Sequence, residues 1–211
     1  MENFIIAITR TCGSGGTTIS NMLAERYGIN LYDKQLLRLA SEDSGISEKL
    51  FAGADEDIKN SILYKVSRKV YQGELIPPES GDFTSDENLF NYQAKVLKEL
   101  AKQQSYIVIG RAADYVLKDY RNLISVFLYA PLEIRAEHER ERLLIDEKQA
   151  LKHVKKVDAY RQAYCKYHTG RIWKNAENYD LALDTSKLGF EKTFELIKNY
   201  VDLRLGAGGF A

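Results

Sequence analysis

The chain has 211 residues, and its 30 Lys and Arg balance its 30 Asp and Glu, so its formal net charge is zero at pH 7. This balance argues against the global basic field of a nucleic-acid-binding protein, and no apolar run approaches membrane-spanning length. We predict one α/β domain over residues 1–205 with a flexible tail at 206–211. Because the two cysteines are far apart and the N-terminus has no signal layout, we expect a cytoplasmic protein.

The N-terminal sequence predicts a buried strand, a glycine-rich loop and a helix. Residues 4–9 (FIIAIT) form a continuous apolar run, which is typical of a strand buried on both faces of a parallel sheet. Residues 10–18 (RTCGSGGTT) contain three glycines, and apolar residues recur at helical spacing after them. A loop in this setting predicts phosphate binding, because its backbone N–H groups and the helix N-terminus both attract anions.

The loop departs from the common phosphate-binding pattern G-x-x-x-x-G-K-[ST]. The pattern requires glycine, glycine, lysine and a hydroxyl at positions where this chain has Arg10, Gly15, Gly16 and Thr17. The turn glycine and the metal-binding hydroxyl are present, whereas the lysine that contacts the β- and γ-phosphates is missing. Arg10 is a candidate to supply the missing positive charge to the same phosphates. The alternatives are a structural ion pair at Arg10, or a glycine-rich turn without a ligand.

Four more predicted strands alternate with predicted helices. The strands lie at residues 29–32, 106–109, 123–128 and 181–183. Helical patterns follow Asp33, cover residues 87–103, begin near Pro131 and continue after Ser186. This alternation predicts a doubly wound, five-stranded parallel sheet.

Residues directly after the strands are the candidates for ligand contacts, because parallel sheets bind ligands at the carboxyl ends of their strands. Besides the glycine loop, they include Asp33, Gly110, Arg111 and residues 184–186. Arg111 is the strongest of these candidates, since its side chain should point into the same crevice as the glycine loop. The alternative is a solvated surface arginine.

Residues 133–174 form a local basic segment, with eleven Lys or Arg against seven Asp or Glu. A helix in this segment is expected to face the core with Val157, Tyr160, Tyr164 and Tyr167. Asp158 and Arg161 would then lie on another face. Arg142 and Arg161 are candidates to close over a phosphate.

Six stretches of the chain match a known family in family order. They are residues 8–19, 32–37, 107–111, 127–136, 158–164 and 178–186. In these stretches the chain resembles the cytidylate kinase-like proteins, a divergent branch of the nucleoside monophosphate kinases. The resemblance implies the P-loop kinase fold, with an arginine-bearing lid over residues 133–174. It also implies that residues 44–86, where helical patterns precede a long loop, form an insertion near the acceptor site.

The resemblance further implies an ATP- and Mg²⁺-dependent kinase of a nucleoside monophosphate, CMP or dCMP first, acting on this small molecule and on neither nucleic acid nor membrane. The ATP phosphates would be held by Arg10, Gly13, Ser14, Gly15, Gly16, Thr17 and Thr18, with Thr17 also on the metal. Asp33 and Arg111 would bind the acceptor. The catalytic cations would be Arg10, Arg111, Arg142 and Arg161. A kinase for another small acceptor remains open, because residues 44–86 depart from the cytidylate kinases in the region where the base is chosen. A non-catalytic nucleotide-binding protein also remains open, because the lysine is missing.

Overall fold

The structure, a computed structural model, describes residues 3–33, 62, 66 and 86–206. The predicted helix after Asp33 and the tail beyond residue 206 lie outside these residues. So does almost all of the predicted insertion at 44–86, although Ile62 and Val66 are both helical. Within the described ranges, no helix is both long and apolar enough to cross a membrane.

The five predicted strands are all present. They are β1 (Ile5–Arg10), β2 (Asn30–Tyr32), β3 (Tyr106–Ile109), β4 (Leu123–Tyr129) and β5 (Leu181–Asp184). They form one sheet in the order β2-β3-β1-β4-β5, and all four pairings are parallel. The prediction of a five-stranded parallel α/β sheet is therefore confirmed, with strand ends within one residue of those expected.

Helices connect the strands. In the described part of the chain they are α1 (Gly16–Tyr27), α2 (Asp86–Gln103), α3 (Ala113–Val116), α4 (Leu132–Leu143), α5 (Glu147–Thr169) and α6 (Thr185–Arg204). Local sequence sets several of their ends. Gly28 ends α1 with a left-handed backbone, and the side chains of Asp146 and Gln149 form a reciprocal capping box at the start of α5.

The apolar run of β1 is continuous because each face of the sheet packs on different helices. Ile5 and Ala7 belong to a core cluster that includes Leu97 of α2, whereas Ile6 and Ile8 belong to a second cluster with residues of α1 and α6. Successive side chains of a strand point to opposite faces, so both faces require apolar residues. This packing fixes the end of β1, and with it the start of the glycine loop.

The predicted core-facing stripe of α5 is wrong. Tyr160 and Tyr167 are 55% and 71% exposed, whereas α5 buries Ala150, Val154 and Asp158. The small side chains of Ala150 and Val154 pack in a cluster against the glycine loop and α4. Asp158 is buried because it forms an ion pair with an arginine of α4, which hydrophobic periodicity does not reveal.

Candidate active site

The glycine loop requires glycine at two positions for both backbone and packing reasons. Gly13 and Gly15 have φ values of 79° and 80°, in the left-handed region that side chains disfavour. A Cβ atom at Gly13 would lie 2.3 Å from the carbonyl oxygen of Arg135, and one at Gly15 would lie 2.3 Å from the ring of Phe190. Between them, the fully buried Ser14 places its hydroxyl 2.9 Å from the carbonyl oxygen of Thr11. Its side chain therefore stabilises the turn.

Three residues of α4 and α5 hold the backbone of the loop, and we call Arg135, His138 and Asp158 the loop clamp. Asp158 accepts a hydrogen bond from the N–H of Cys12 at 2.7 Å, and Nη1 of Arg135 donates to the carbonyl oxygen of Cys12 at 3.1 Å. Arg135 and Asp158 also pair with each other at 2.7 Å. Nδ1 of His138 lies 2.8 Å from the carbonyl oxygen of Gly13. The loop is thus positioned by side chains that sequence reasoning did not assign to it.

Arg10, the last residue of β1, lies beside the loop. Its Cγ occupies space next to Gly16, since a Cβ there would lie 2.6 Å from that atom, and its Nη1 reaches the backbone of Gly110. Its carbonyl oxygen accepts a hydrogen bond from Nη1 of Arg161 at 3.0 Å. Burial, with a smaller effect of the Arg161 charge, lowers the pKa of Arg10 to about 9, so it remains a cation at neutral pH.

Two cavities meet at Arg10. The loop cavity, of about 760 Å³, is lined by the glycine loop, Thr17, Thr18, Arg142 and Phe190 among others. The aromatic cavity, of about 430 Å³, is lined by residues that include Arg111, Asp114, Tyr160, Tyr164 and Trp173. Both linings contain Arg10, His153, Val157 and Arg161. The structure therefore brings the predicted residues Arg10, Arg111 and Arg161 together at adjoining cavities.

Arg111 projects from a strained turn after β3. Gly110, Arg111 and Ala112 have consecutive positive φ values of 74°, 60° and 50°, which non-glycine residues rarely adopt. The guanidinium carbon of Arg111 lies 5.6 Å from the ring centroid of Tyr164. Its Nε is buried and has no hydrogen-bond partner among the residues that the structure describes. A strained turn that places a cationic side chain in the wall of a cavity is suited to bind an anion.

A buried carboxylate, Asp114, also lines the aromatic cavity, and sequence reasoning missed it. Thr9 donates its hydroxyl to Asp114 at 3.5 Å, and Arg171 pairs with it at 3.7 Å. Desolvation raises the pKa of Asp114, an effect that the charge of Arg171 opposes. Its only sequence signal was its position three residues after Arg111.

The other predicted residues differ in their relation to the cavities. Thr17 and Thr18 are exposed and line the loop cavity. Arg142 lines the same cavity, is 61% exposed, and forms an ion pair with Glu139. Asp33 follows β2 and lines neither cavity, although its charge raises the pKa of Arg10.

Cys12, Glu139 and His153 place three possible metal-ligand atoms within 4.8 Å of one another. Burial and the charge of Glu139 raise the pKa of the Cys12 thiol to about 11. Glu139 already pairs with Arg142, and its Oε2 lies 3.7 Å from Nε2 of His153. The geometry therefore favours a neutral thiol beside an ion pair over a set of metal ligands.

Comparison with known proteins identifies a family and several relatives that this chain resembles over most of its length. The family described as "Cytidylate kinase-like family" matches residues 5–187. The cytidylate kinase of Methanopyrus kandleri is 27% identical over 199 residues, covering 94% of this chain and 93% of that protein. The cytidylate kinase of Thermosipho melanesiensis is 31% identical over 153 residues, covering 66% of this chain and 69% of that protein. A crystal structure of an uncharacterized protein from Eubacterium ventriosum has a TM-score of 0.72 and 25% identity, covering 95% of this chain and 99% of that one.

Proposed function

Since the chain belongs to the cytidylate kinase-like family, we propose that it transfers the γ-phosphoryl group of ATP to a nucleoside monophosphate, with CMP or dCMP as the preferred acceptor. The observation that carries this proposal is the meeting of two cavities at Arg10 and Arg161. Phosphoryl transfer requires the donor and acceptor in line, with cations around the transferring group. Two adjoining cavities with arginines in the shared wall suit that requirement.

The loop cavity would hold the ATP phosphates. The backbone of residues 10–18 and the N-terminus of α1, which begins at Gly16, provide N–H groups and partial positive charge for them. Thr17 would supply a hydroxyl ligand to Mg²⁺, and its exposure in this cavity fits an ion that takes few protein ligands and several phosphate or water oxygens. When bound, the ion neutralises charge on the β- and γ-phosphate oxygens.

The aromatic cavity would hold the acceptor. Its volume of about 430 Å³ lies within the usual range of small-molecule sites. Arg111 would bind the acceptor phosphate from the cavity wall, and the rings of Tyr160 and Trp173 would border the nucleoside. Asp33 remains a predicted contact of the acceptor from the edge of the sheet.

The transferring group would be contacted by Arg161 in the shared wall and by Arg142 from the lid. Arg142 would exchange Glu139 for a phosphate oxygen, which offers the same charge-assisted hydrogen bonds. Gly16 at the lysine position favours a second candidate function, nucleotide binding without transfer. Kinetics separates the two, because a protein that only binds would release no ADP.

The test is ADP release from ATP and Mg²⁺ against a panel of CMP, dCMP, UMP, AMP and GMP, with wild type, Arg111→Met and the control Arg121→Met. Arg121 is exposed and precedes β4 at the opposite end of the sheet. We expect Arg111→Met to raise the KM for CMP by about 10- to 100-fold, since a charged hydrogen bond is worth about 1.5–3 kcal/mol. The KM for ATP should stay within about twofold, because Arg111 lies in the other cavity. An equal rise in both KM values, or none, would contradict the assignment of the cavities.

A further inference from the structure

The chain departs from the phosphate-binding pattern at Arg10 and at Gly16, and these two residues lie in contact. The pattern has glycine at position 10 and a cation at position 16, whereas this chain has Arg10 and Gly16. A Cβ at position 16 would lie 2.6 Å from Cγ and 3.0 Å from Cβ of Arg10. The stem of Arg10 thus fills the space that a side chain at 16 needs, so Arg10 in this position requires glycine at 16.

Backbone conformation does not explain the glycine at position 16. Gly16 is the first residue of α1 and has no positive φ, unlike Gly13 and Gly15. Alanine is the better helix former, so glycine here has a conformational cost. The contact with Arg10 is therefore the structural reason for Gly16.

A second glycine, Gly110, leaves space for the guanidinium of Arg10. A Cβ at Gly110 would lie 2.6 Å from Nη1 of Arg10. The guanidinium therefore crosses from the loop, at the end of β1, to the turn after β3 that carries Arg111. Glycines at both ends of its path leave the room that it needs at the junction of the two cavities.

Arg10 lines both cavities from this position and can contact an anion there. Its guanidinium makes no hydrogen bond or ion pair with any residue in the described part of the chain, so the alternative of a structural ion pair finds no partner there. Burial of a guanidinium charge is costly, and a bound phosphate would supply both a compensating charge and bidentate acceptors.

We infer that Arg10 is a catalytic residue that replaces the P-loop lysine and contacts both the transferring phosphoryl group and the acceptor phosphate. This inference rests on the proposed function and adds the identity of the cation and its dependence on Gly16. In the transfer, an acceptor phosphate oxygen forms a bond to the γ-phosphorus, while the bond from that phosphorus to the bridging oxygen breaks and the electron pair leaves with ADP. Arg10 remains protonated throughout and stabilises the charge on the oxygens around the phosphorus.

The kinetic test compares wild type, Arg10→Ala, Gly16→Lys and the double variant Arg10→Gly with Gly16→Lys. Arg10→Ala should lower kcat by about 100- to 1000-fold, by analogy with a lost oxyanion donor. Its Kd for ATP should rise less than about fivefold, since the cation matters most in the transition state. Gly16→Lys alone should be inactive or unstable because of the clash. The double variant, which restores the usual pattern, should be at least about tenfold faster than Arg10→Ala.

Thermal unfolding gives a test that needs no activity. Gly16→Ala should lower the melting temperature in wild type but leave it equal or raise it in the Arg10→Gly background, where the space is open and alanine favours the helix. The same shift in both backgrounds would overturn the coupling of the two positions. Wild-type turnover in Arg10→Ala would overturn the catalytic role while leaving the proposed function standing. Absence of transfer by wild type with every acceptor would overturn the proposed function and the catalytic role together, whereas the melting experiment would still decide the coupling.

Discussion

The pair of Arg135 and Asp158 in the loop clamp is the contact whose loss should weaken both the fold and nucleotide binding. Asp158 is 9% exposed, and both of its oxygens are used. Oδ1 accepts from the N–H of Cys12 and Oδ2 pairs with Nη1 of Arg135, each at 2.7 Å. The substitution Asp158→Ala would leave the Arg135 guanidinium buried without its counter-ion and the Cys12 N–H without its acceptor.

The expected cost follows from the burial of both partners. Their side chains are 7% and 12% exposed, and removing one partner of such a buried pair costs about 3–5 kcal/mol of unfolding free energy. The carbonyl oxygens of Ala130 and Cys12 still accept hydrogen bonds from Arg135, which favours the lower part of this range. For a chain of this length the loss corresponds to a fall of roughly 6–20 °C in melting temperature.

Urea and thermal unfolding of Asp158→Ala measure this cost directly. The matched control is Glu137→Ala, which breaks an exposed ion pair with Arg140 on α4 and should leave the melting temperature unchanged. The double variant Arg135→Met with Asp158→Leu should recover much of the stability, because no unpaired charge stays buried. It should still bind ATP weakly, since neither new side chain can hold the loop backbone. A stability of Asp158→Ala equal to that of the control would refute this reasoning.

Three further predictions concern the loop and the two cavities. Gly15→Ala should lower both the melting temperature and ATP affinity by calorimetry, because its Cβ would meet the ring of Phe190 at a φ of +80°; unchanged affinity of a folded variant would refute the phosphate-loop assignment. The Cys12 thiol, with its pKa raised to about 11, should hold roughly a hundredfold less thiolate than an ordinary cysteine, so alkylation of a Cys165→Ser variant at pH 8, followed by mass spectrometry, should be slow. A rate equal to that of a free thiol would be inconsistent with the buried site. Desolvation raises the pKa of Asp114 in the folded state above its unfolded value. The stability that the protonated carboxyl contributes is therefore present below the unfolded pKa and is lost as pH rises through the folded pKa. Asp114→Asn should therefore raise the melting temperature at pH 7, by an amount that shrinks as pH falls toward 4, and a constant difference would argue against a raised pKa.

The sheet was predictable from sequence because strands that are buried on both faces have uninterrupted apolar sequences. Both faces of β1 are covered, so the run from Ile5 to Ile8 is apolar without interruption, and the same holds for residues 106–109 of β3. The glycine loop was predictable for a related reason, since Gly13 and Gly15 adopt backbone conformations that other residues disfavour. In each case a local sequence pattern reflects a local physical requirement.

The loop clamp was not predictable, because its partners are distant in sequence and carry charge. Asp158 and Cys12 are 146 residues apart, and no pattern in either segment indicates the contact. A charged residue on a helix is usually solvated, so Asp158 was assigned to the wrong side of α5 and the exposed Tyr160 to the core. The relation between Arg10 and Gly16 was predictable only in part. The sequence shows that both residues depart from the phosphate-binding pattern, whereas the structure shows that Arg10 fills the space that a side chain at position 16 would need.

The most direct test of the proposed phosphoryl transfer follows the label of γ-phosphate-labelled ATP incubated with Mg²⁺, CMP and the wild-type protein. If the loop cavity holds ATP and the aromatic cavity holds the acceptor, the label should appear in CDP in step with ADP release, and Arg10→Ala should slow both together. Label that appeared only in inorganic phosphate, or that stayed in ATP with every monophosphate supplied, would contradict transfer between the two cavities.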